Sequence, residues 1–148
     1  MKELIIMCGL PRSGKSTKCR EEWQPMGYVV VNPDKMRIAY HGKAFYPEKE
    51  REVWTMAEVF VKMLMLQGNN IVLDATNISV KGRAKWIDIA KQNKYKAFIH
   101  WVQTDKEECL RRNHGEGAVP PEVIERMSTK FEAPTQAEGH IIYDLKED

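Results

Sequence analysis

Much that would direct a reading elsewhere is missing from this chain. Cysteine is scarce. Cys8, Cys19 and Cys109 are odd in number and form no C-x-x-C pair. That sets aside a metal or redox role for them and fits a reducing compartment. No apolar run approaches the length of a membrane span. Leu4–Met7 is too short for the apolar core of a secretion signal, so the expected location is the cytoplasm. Excess charge is also missing: the formal net charge is +2. The chain therefore does not coat polyanions as a whole, and any nucleic-acid contact has to come from a local patch. Internal repeats and low-complexity stretches are absent as well. A guanine-reading N-K-x-D motif is not completed, because Asn93-Lys94-Tyr95-Lys96 lacks the aspartate. That counts against a GTPase switch.

What is present suits a globular fold. Hydrophobic residues make up 43% and charged residues 30% of 148 residues, a length that fits one domain, 1–148. The most informative stretch comes first. The apolar run Leu4–Cys8 ends in Gly9, and Gly14-Lys15-Ser16 follows five residues later, then Thr17. This is G-x-x-x-x-G-K-[ST], a phosphate-binding loop between a buried strand and a helix. Gly9 and Gly14 let the backbone wrap closely, and with Arg12, Ser13, Lys15, Ser16 and Thr17 the loop turns N–H groups toward phosphate oxygens. Lys15 reaches the β- and γ-phosphates and the Ser16 hydroxyl binds Mg²⁺. The chain is thus expected to bind a nucleoside triphosphate with Mg²⁺.

Downstream, short apolar strands alternate with helical patterns. Strands are expected at Tyr28–Val31, Ile71–Asp74, Lys96–Val102 and Ile141–Tyr143. Helices are expected at Lys15 to about Trp23, Lys35 to about Tyr40, Glu48–Gln67, Ser79 to about Asn93, Asp105 to about Arg112 and Pro120 to about Lys130. The loops are His41–Pro47 and Phe131–Gly139, with a charged tail after the last strand. Val53, Met56, Ala57, Phe60, Met63 and Leu64 recur at helical spacing and read as a core face rather than a soft binding groove. The pattern predicts an α/β fold of the three-layer phosphate-loop NTPase/kinase type: a five-stranded parallel sheet, helices on both faces and a short lid at about 111–119. Ligands in such sheets sit beyond the carboxyl ends of the strands, where Gly9, Asn32–Asp34, Asp74–Asn77 and Thr104-Asp105 all fall.

Four groups at that edge could carry chemistry. Asp74 closes the third strand as a Mg²⁺-holding acid would; a turn or cap aspartate is the plain alternative. Asp34 is placed to take the proton of an acceptor hydroxyl, with Arg37 one turn later to bind an acceptor phosphate through its fork. The alternative is a capping aspartate and a surface arginine. Arg111 and Arg112 precede the flexible His114–Gly117 and could stabilise the moving phosphate, or simply complement a helix end. Arg83, together with Arg12, Lys35, Lys43 and Lys85, could line an acceptor path or form a solvated face.

Gly9–Thr17, Asn32–Arg37 and Asp74-Ala75-Thr76-Asn77 together resemble the 5′-kinase domain of polynucleotide kinases, especially the phage type. Arg112-Asn113, Val119-Pro120 and the stretch through Phe131–Thr135 extend the match over nearly the whole chain. The resemblance implies transfer of the ATP γ-phosphate to a 5′-hydroxyl of DNA or RNA. It implies Asp34 as general base, Arg37 on the acceptor phosphate, and Asp74 and Asn77 ordering the metal and acceptor side. It further implies Arg112 in the lid and Pro134 and Thr135 near the adenine. The family often carries another arginine soon after the Arg-Asn pair, whereas here Asn113 is followed by His114-Gly115-Glu116-Gly117. A kinase for a small-molecule, amino-sugar or modified-base hydroxyl on the same scaffold is the competing expectation.

Overall fold

The computed structural model describes residues 1–43 and 45–144. Ala44 of the expected loop and residues 145–148 of the expected tail lie outside the described residues. Among the described residues, five strands form one parallel sheet: β1 (Glu3–Cys8), β2 (Val29–Val31), β3 (Ile71–Leu73), β4 (Lys96–Val102) and β5 (His140–Asp144), in the order β2-β3-β1-β4-β5. β1 is central because it is apolar on both faces. Leu4 and Ile6 join one core cluster with Ile71, Leu73, Ala57, Val61 and Trp86, while Ile5 and Met7 join Val72, Cys19 and Val102 on the other face. Each such buried aliphatic side chain contributes roughly 1.5–3 kcal/mol. The three-layer α/β architecture expected from the strand–helix alternation is what forms.

The first helix departs from expectation in detail. α1 (Lys15–Lys18) widens into a π-turn over Cys19–Trp23 and tightens over Gln24–Met26 before Gly27 stops it at φ 90°. The widened turn brings the Trp23 ring edge-on to Tyr28, and its Nε1 donates to His100 Nδ1 at 2.9 Å. α2 (Pro33–His41) starts two residues earlier than the apolar pattern suggested. The Asn32 side chain accepts from the amides of Asp34 and Lys35, and Pro33 takes the first helical position, where a missing N–H goes unnoticed.

α3 (Glu50–Leu66) ends as expected at Gly68, whose φ of 77° closes a Schellman motif: Gly68 N–H bonds Met65 O and Asn69 N–H bonds Leu64 O. Its buried stripe is Val53, Ala57, Val61, Leu64 and Met65; Met63 is exposed instead. α4 (Val80–Gln92), α5 (Lys106–Arg112) and α6 (Pro121–Lys130) follow the expected boundaries, the first two capped by Ser79 and Asp105. Leu10, Cys109 and Ile124 form a third cluster that seats α5 and α6 against the loop after β1. Among the described residues, no helix is long and apolar enough to cross a membrane.

Candidate active site

The loop after β1 is fixed by backbone contacts that leave no room for other residues. Gly9 N–H bonds Thr76 O at 3.0 Å. A Cβ on Gly9 would lie 2.8 Å from Ser13 Oγ and 2.9 Å from Val102 O, so only glycine lets the chain pass. Gly14, at φ 106°, turns the loop into α1. Ser13 is buried; its carbonyl accepts from Thr104 Oγ1 at 2.7 Å and from Arg112 Nη1 at 3.3 Å. Thr104 was visible in the sequence as a residue past a strand end, but its grip on the loop was not.

Lys15 is folded into this loop. Its Nζ donates to Leu10 O at 2.6 Å and to Ser13 Oγ at 3.3 Å. Burial lowers its pKa, with the Asp74 carboxylate opposing. Ser16 Oγ donates to Asp74 Oδ2 at 2.7 Å, and Asn32 Nδ2 donates to the same oxygen at 3.2 Å. Asp74 is 6% exposed, and its pKa is raised by burial against the pull of Ser16 and Lys15. It is neither a cap nor a turn residue. Among the described residues, no group of three or more His, Cys, Asp or Glu could hold a metal by itself. The Ser16 hydroxyl and Asp74 carboxylate are nevertheless hard oxygen donors side by side, the set that suits Mg²⁺ when phosphate and water oxygens fill its remaining positions. Thr17, next along α1, is exposed.

The residues expected on the acceptor side sit on α2. Asn32, not Asp34, caps the helix, which leaves the Asp34 side chain 80% exposed. Arg37 Nη1 donates to Asp34 Oδ1 at 2.5 Å. The other edge of the same guanidinium is bidentate on Glu50, Nε to Oε2 at 2.8 Å and Nη2 to Oε1 at 2.7 Å, over the Trp54 ring. Arg37 is therefore a half-buried, oriented fork rather than a loose surface cation. Glu50 went unnoticed in the sequence. Its one signal was a carboxylate in the first turn of α3, and nothing there indicates which arginine it meets across a loop. Asn32, just past the end of β2, ties the start of α2 to Asp74.

Two expected acceptor residues face elsewhere. Asn77, at φ 43°, donates from Nδ2 to Met7 O at 2.7 Å and so locks the end of β3 to β1. Arg83 is 0% exposed, so no acceptor reaches it, and the expectation that it lines an acceptor path is corrected. Its guanidinium bonds Asn77 O, Glu132 O and both oxygens of Glu138. It supports from inside the loop carrying Pro134 and Thr135, where Pro134 is buried and Thr135 opens a capping box with Glu138. Arg83→Met should therefore destabilise the fold by about 3–5 kcal/mol, because Glu138 loses the cation it is buried against. Urea unfolding measures this, and a loss below about 1 kcal/mol, the size of a surface pair, would contradict it.

The two arginines expected in the lid separate. Arg111 is 73% exposed and pairs with Glu108 on its own helix. Arg112 Nη1 reaches Ser13 O and lies 3.6 Å from where a Cβ on Gly14 would stand, while its Nε bonds Glu108. Arg12, expected to face the nucleotide, turns its guanidinium to the carbonyls of Arg112, His114 and Glu116. A second network missed in the sequence lies behind the site. Trp23 donates to His100 Nδ1, His100 Nε2 meets Asp144 Oδ1 at 2.8 Å, and Lys18 closes on Asp144. It ties α1 to the β4–β5 edge.

Known proteins match this chain in family and fold. A family model described as an AAA domain matches residues 4–134, and the chain belongs to that family. A bifunctional polynucleotide phosphatase/kinase of Schizosaccharomyces pombe is 25% identical over 144 residues, covering 93% of this chain and 32% of that protein. In the solved Pnkp1/Rnl/Hen1 RNA repair complex, one chain matches with a TM-score of 0.74 at 26% identity, covering 87% of this chain and 43% of that one. The chain thus spans less than half the length of either relative. A gluconokinase from Sinorhizobium meliloti 1021 matches with a TM-score of 0.70 at 15% identity over 97% of this chain and 82% of its own, which shows the shared fold alone. The resemblance to polynucleotide kinases carried by the three sequence motifs is matched by these relatives.

Proposed function

We propose that the chain is an ATP-dependent polynucleotide 5′-hydroxyl kinase that moves the γ-phosphate of ATP to the 5′-OH of DNA or RNA. One observation carries the reading. Asp34 and Arg37 share one turn of α2 and are bonded to each other, and the Asn32 that starts this helix is bonded to the Asp74–Ser16 pair. Acceptor chemistry and phosphate chemistry are thus joined through a single residue. The phosphatase/kinase relatives support a nucleic-acid acceptor.

In this reading the Asp34 carboxylate takes the proton of the 5′-hydroxyl. The freed oxygen bonds to the γ-phosphorus, the bond from that phosphorus to the β,γ-bridging oxygen breaks, and ADP leaves with the electron pair. Lys15 and Arg112 oppose the charge on the phosphoryl oxygens, and Arg37 holds the phosphate 3′ to the acceptor nucleoside. Ser16 and Asp74 would hold Mg²⁺, which neutralises phosphate charge when bound. Pro134 and Thr135 would border the adenine.

The Glu50 clamp on Arg37 favours a second reading. A fork already held on two sides could be structural, and the acceptor then a neutral small-molecule hydroxyl. Arg37→Ala separates the two. A charged hydrogen-bond pair is worth about 1.5–3 kcal/mol, so kcat/KM should fall roughly ten- to a hundredfold for a nucleoside 3′-phosphate and much less for the bare nucleoside. Equal losses on both acceptors would favour the small-molecule reading.

A further inference from the structure

Arg12 occupies a costly position. Its φ is 69°, a left-handed conformation that residues with a Cβ seldom adopt and that glycine would take freely. Nothing inside the phosphate loop explains why an arginine stands there. The explanation lies outside it, in the segment between α5 and α6. Nη2 donates to Arg112 O at 2.9 Å and His114 O at 3.1 Å, and Nη1 donates to Glu116 O at 3.3 Å. The segment curls around the guanidinium closely enough that a Cβ on Gly117 would lie 3.1 Å from Nη1. A planar fork with donors on separate nitrogens spans the carbonyls of Arg112, His114 and Glu116, a spread that a compact ammonium with three donors on one nitrogen does not match. The segment's own sequence, Asn113 to Val119, carries no cation that could close it onto a phosphate except through His114.

We infer that Arg12 is a positioning residue: a latch that holds the short lid, residues 112–117, shut over the phosphate loop and so sets Arg112 against Ser13 and Gly14. The lid is too short to bring further charge of its own. The phosphate loop reaches out instead, through the Arg12 guanidinium. Arg112 Nη1 lies beside the loop's own carbonyl, at Ser13 O. The strained backbone at Arg12 is balanced by bonds to three separate lid carbonyls. Glycine at this position would relax the loop and free the lid at the same time. The consequence for turnover rests on the phosphotransferase reading above; the latch itself does not.

Hydrogen exchange on the free protein decides the latch, with no acceptor needed. In Arg12→Gly, amides of residues 113–118 should exchange at least about tenfold faster than in the unaltered chain, since the lid's opening free energy falls with the lost bonds. Arg12→Lys should behave almost like Arg12→Gly, because the fork is lost though the charge stays. Amides of the central strand β1 should be unaffected in both. Unchanged lid exchange in Arg12→Gly would overturn the inference. For turnover, Arg12→Gly should lower kcat about tenfold with little change in KM for ATP, and adding Arg12→Gly to Arg112→Ala should cause no further loss. Losses that multiply would overturn it too, by placing Arg12 on the phosphate directly. If the unaltered chain phosphorylates no oligonucleotide, the functional reading fails while the exchange result still decides the latch.

Discussion

Replacing Lys15 with alanine should lower phosphoryl transfer at least about a thousandfold, the upper range for removing one preorganised charge-stabilising donor. The ammonium is buried inside the loop with Leu10 O and Ser13 Oγ as its partners. Neither is an anion, so its charge is held in readiness rather than spent. A phosphate entering the loop takes the place of neutral oxygens and meets a cation in a low-dielectric site, where the attraction is far stronger than in water. Alanine leaves the Gly9 and Gly14 geometry intact but removes that cation. The fold should not suffer, because burial already disfavours the charged amine, as its lowered pKa shows. Rapid-quench single-turnover kinetics beside a thermal unfolding curve measure both. Near-normal transfer by Lys15→Ala would remove this loop from the site.

Asp34→Asn should leave ATP affinity unchanged and reduce kcat about a hundred- to ten-thousandfold, the contribution of a positioned general base. The substitution preserves shape and keeps an oxygen for Arg37 while removing the basicity. Stability should change by less than about 1 kcal/mol, because the Asp34–Arg37 pair is exposed at its carboxylate end. The helix keeps its start, since the cap is supplied by Asn32. Nucleotide titration by calorimetry checks the first part and steady-state kinetics the second. Loss of ATP binding in this variant would make Asp34 structural and move the base elsewhere.

Local features were legible in the sequence and distant pairings were not. Apolar runs marked β1 and β3 because each strand is buried on both faces, and Ser79, Asp105 and Pro120-Pro121 marked helix starts because capping is decided by neighbours two or three residues away. The phosphate loop was legible for the same reason. By contrast, Arg83 looked like any basic residue on a helix; its burial depends on Glu138, 55 residues later, and on the loop that folds back over it. Glu50 and Arg37 meet across an intervening loop, and His100 meets Trp23 and Asp144 through the sheet. The π-turn after α1 left no local mark, since it accommodates a tertiary contact of Trp23. α2 starts two residues before the expected Lys35 because Asn32 caps it and Pro33 takes the first helical position, and neither adds to an apolar periodicity.

Asp34 and Arg37 are proposed to serve a polynucleotide end opposite the Lys15 loop. Incubation with γ-labelled ATP and Mg²⁺, in parallel on 5′-hydroxyl DNA, 5′-hydroxyl RNA, free nucleosides and simple sugars, tests it most directly. Label is expected at the 5′ end of an oligonucleotide, with nucleosides lacking a 3′-phosphate at least about tenfold poorer acceptors. Label on a nucleoside or sugar with none on either oligonucleotide would contradict it.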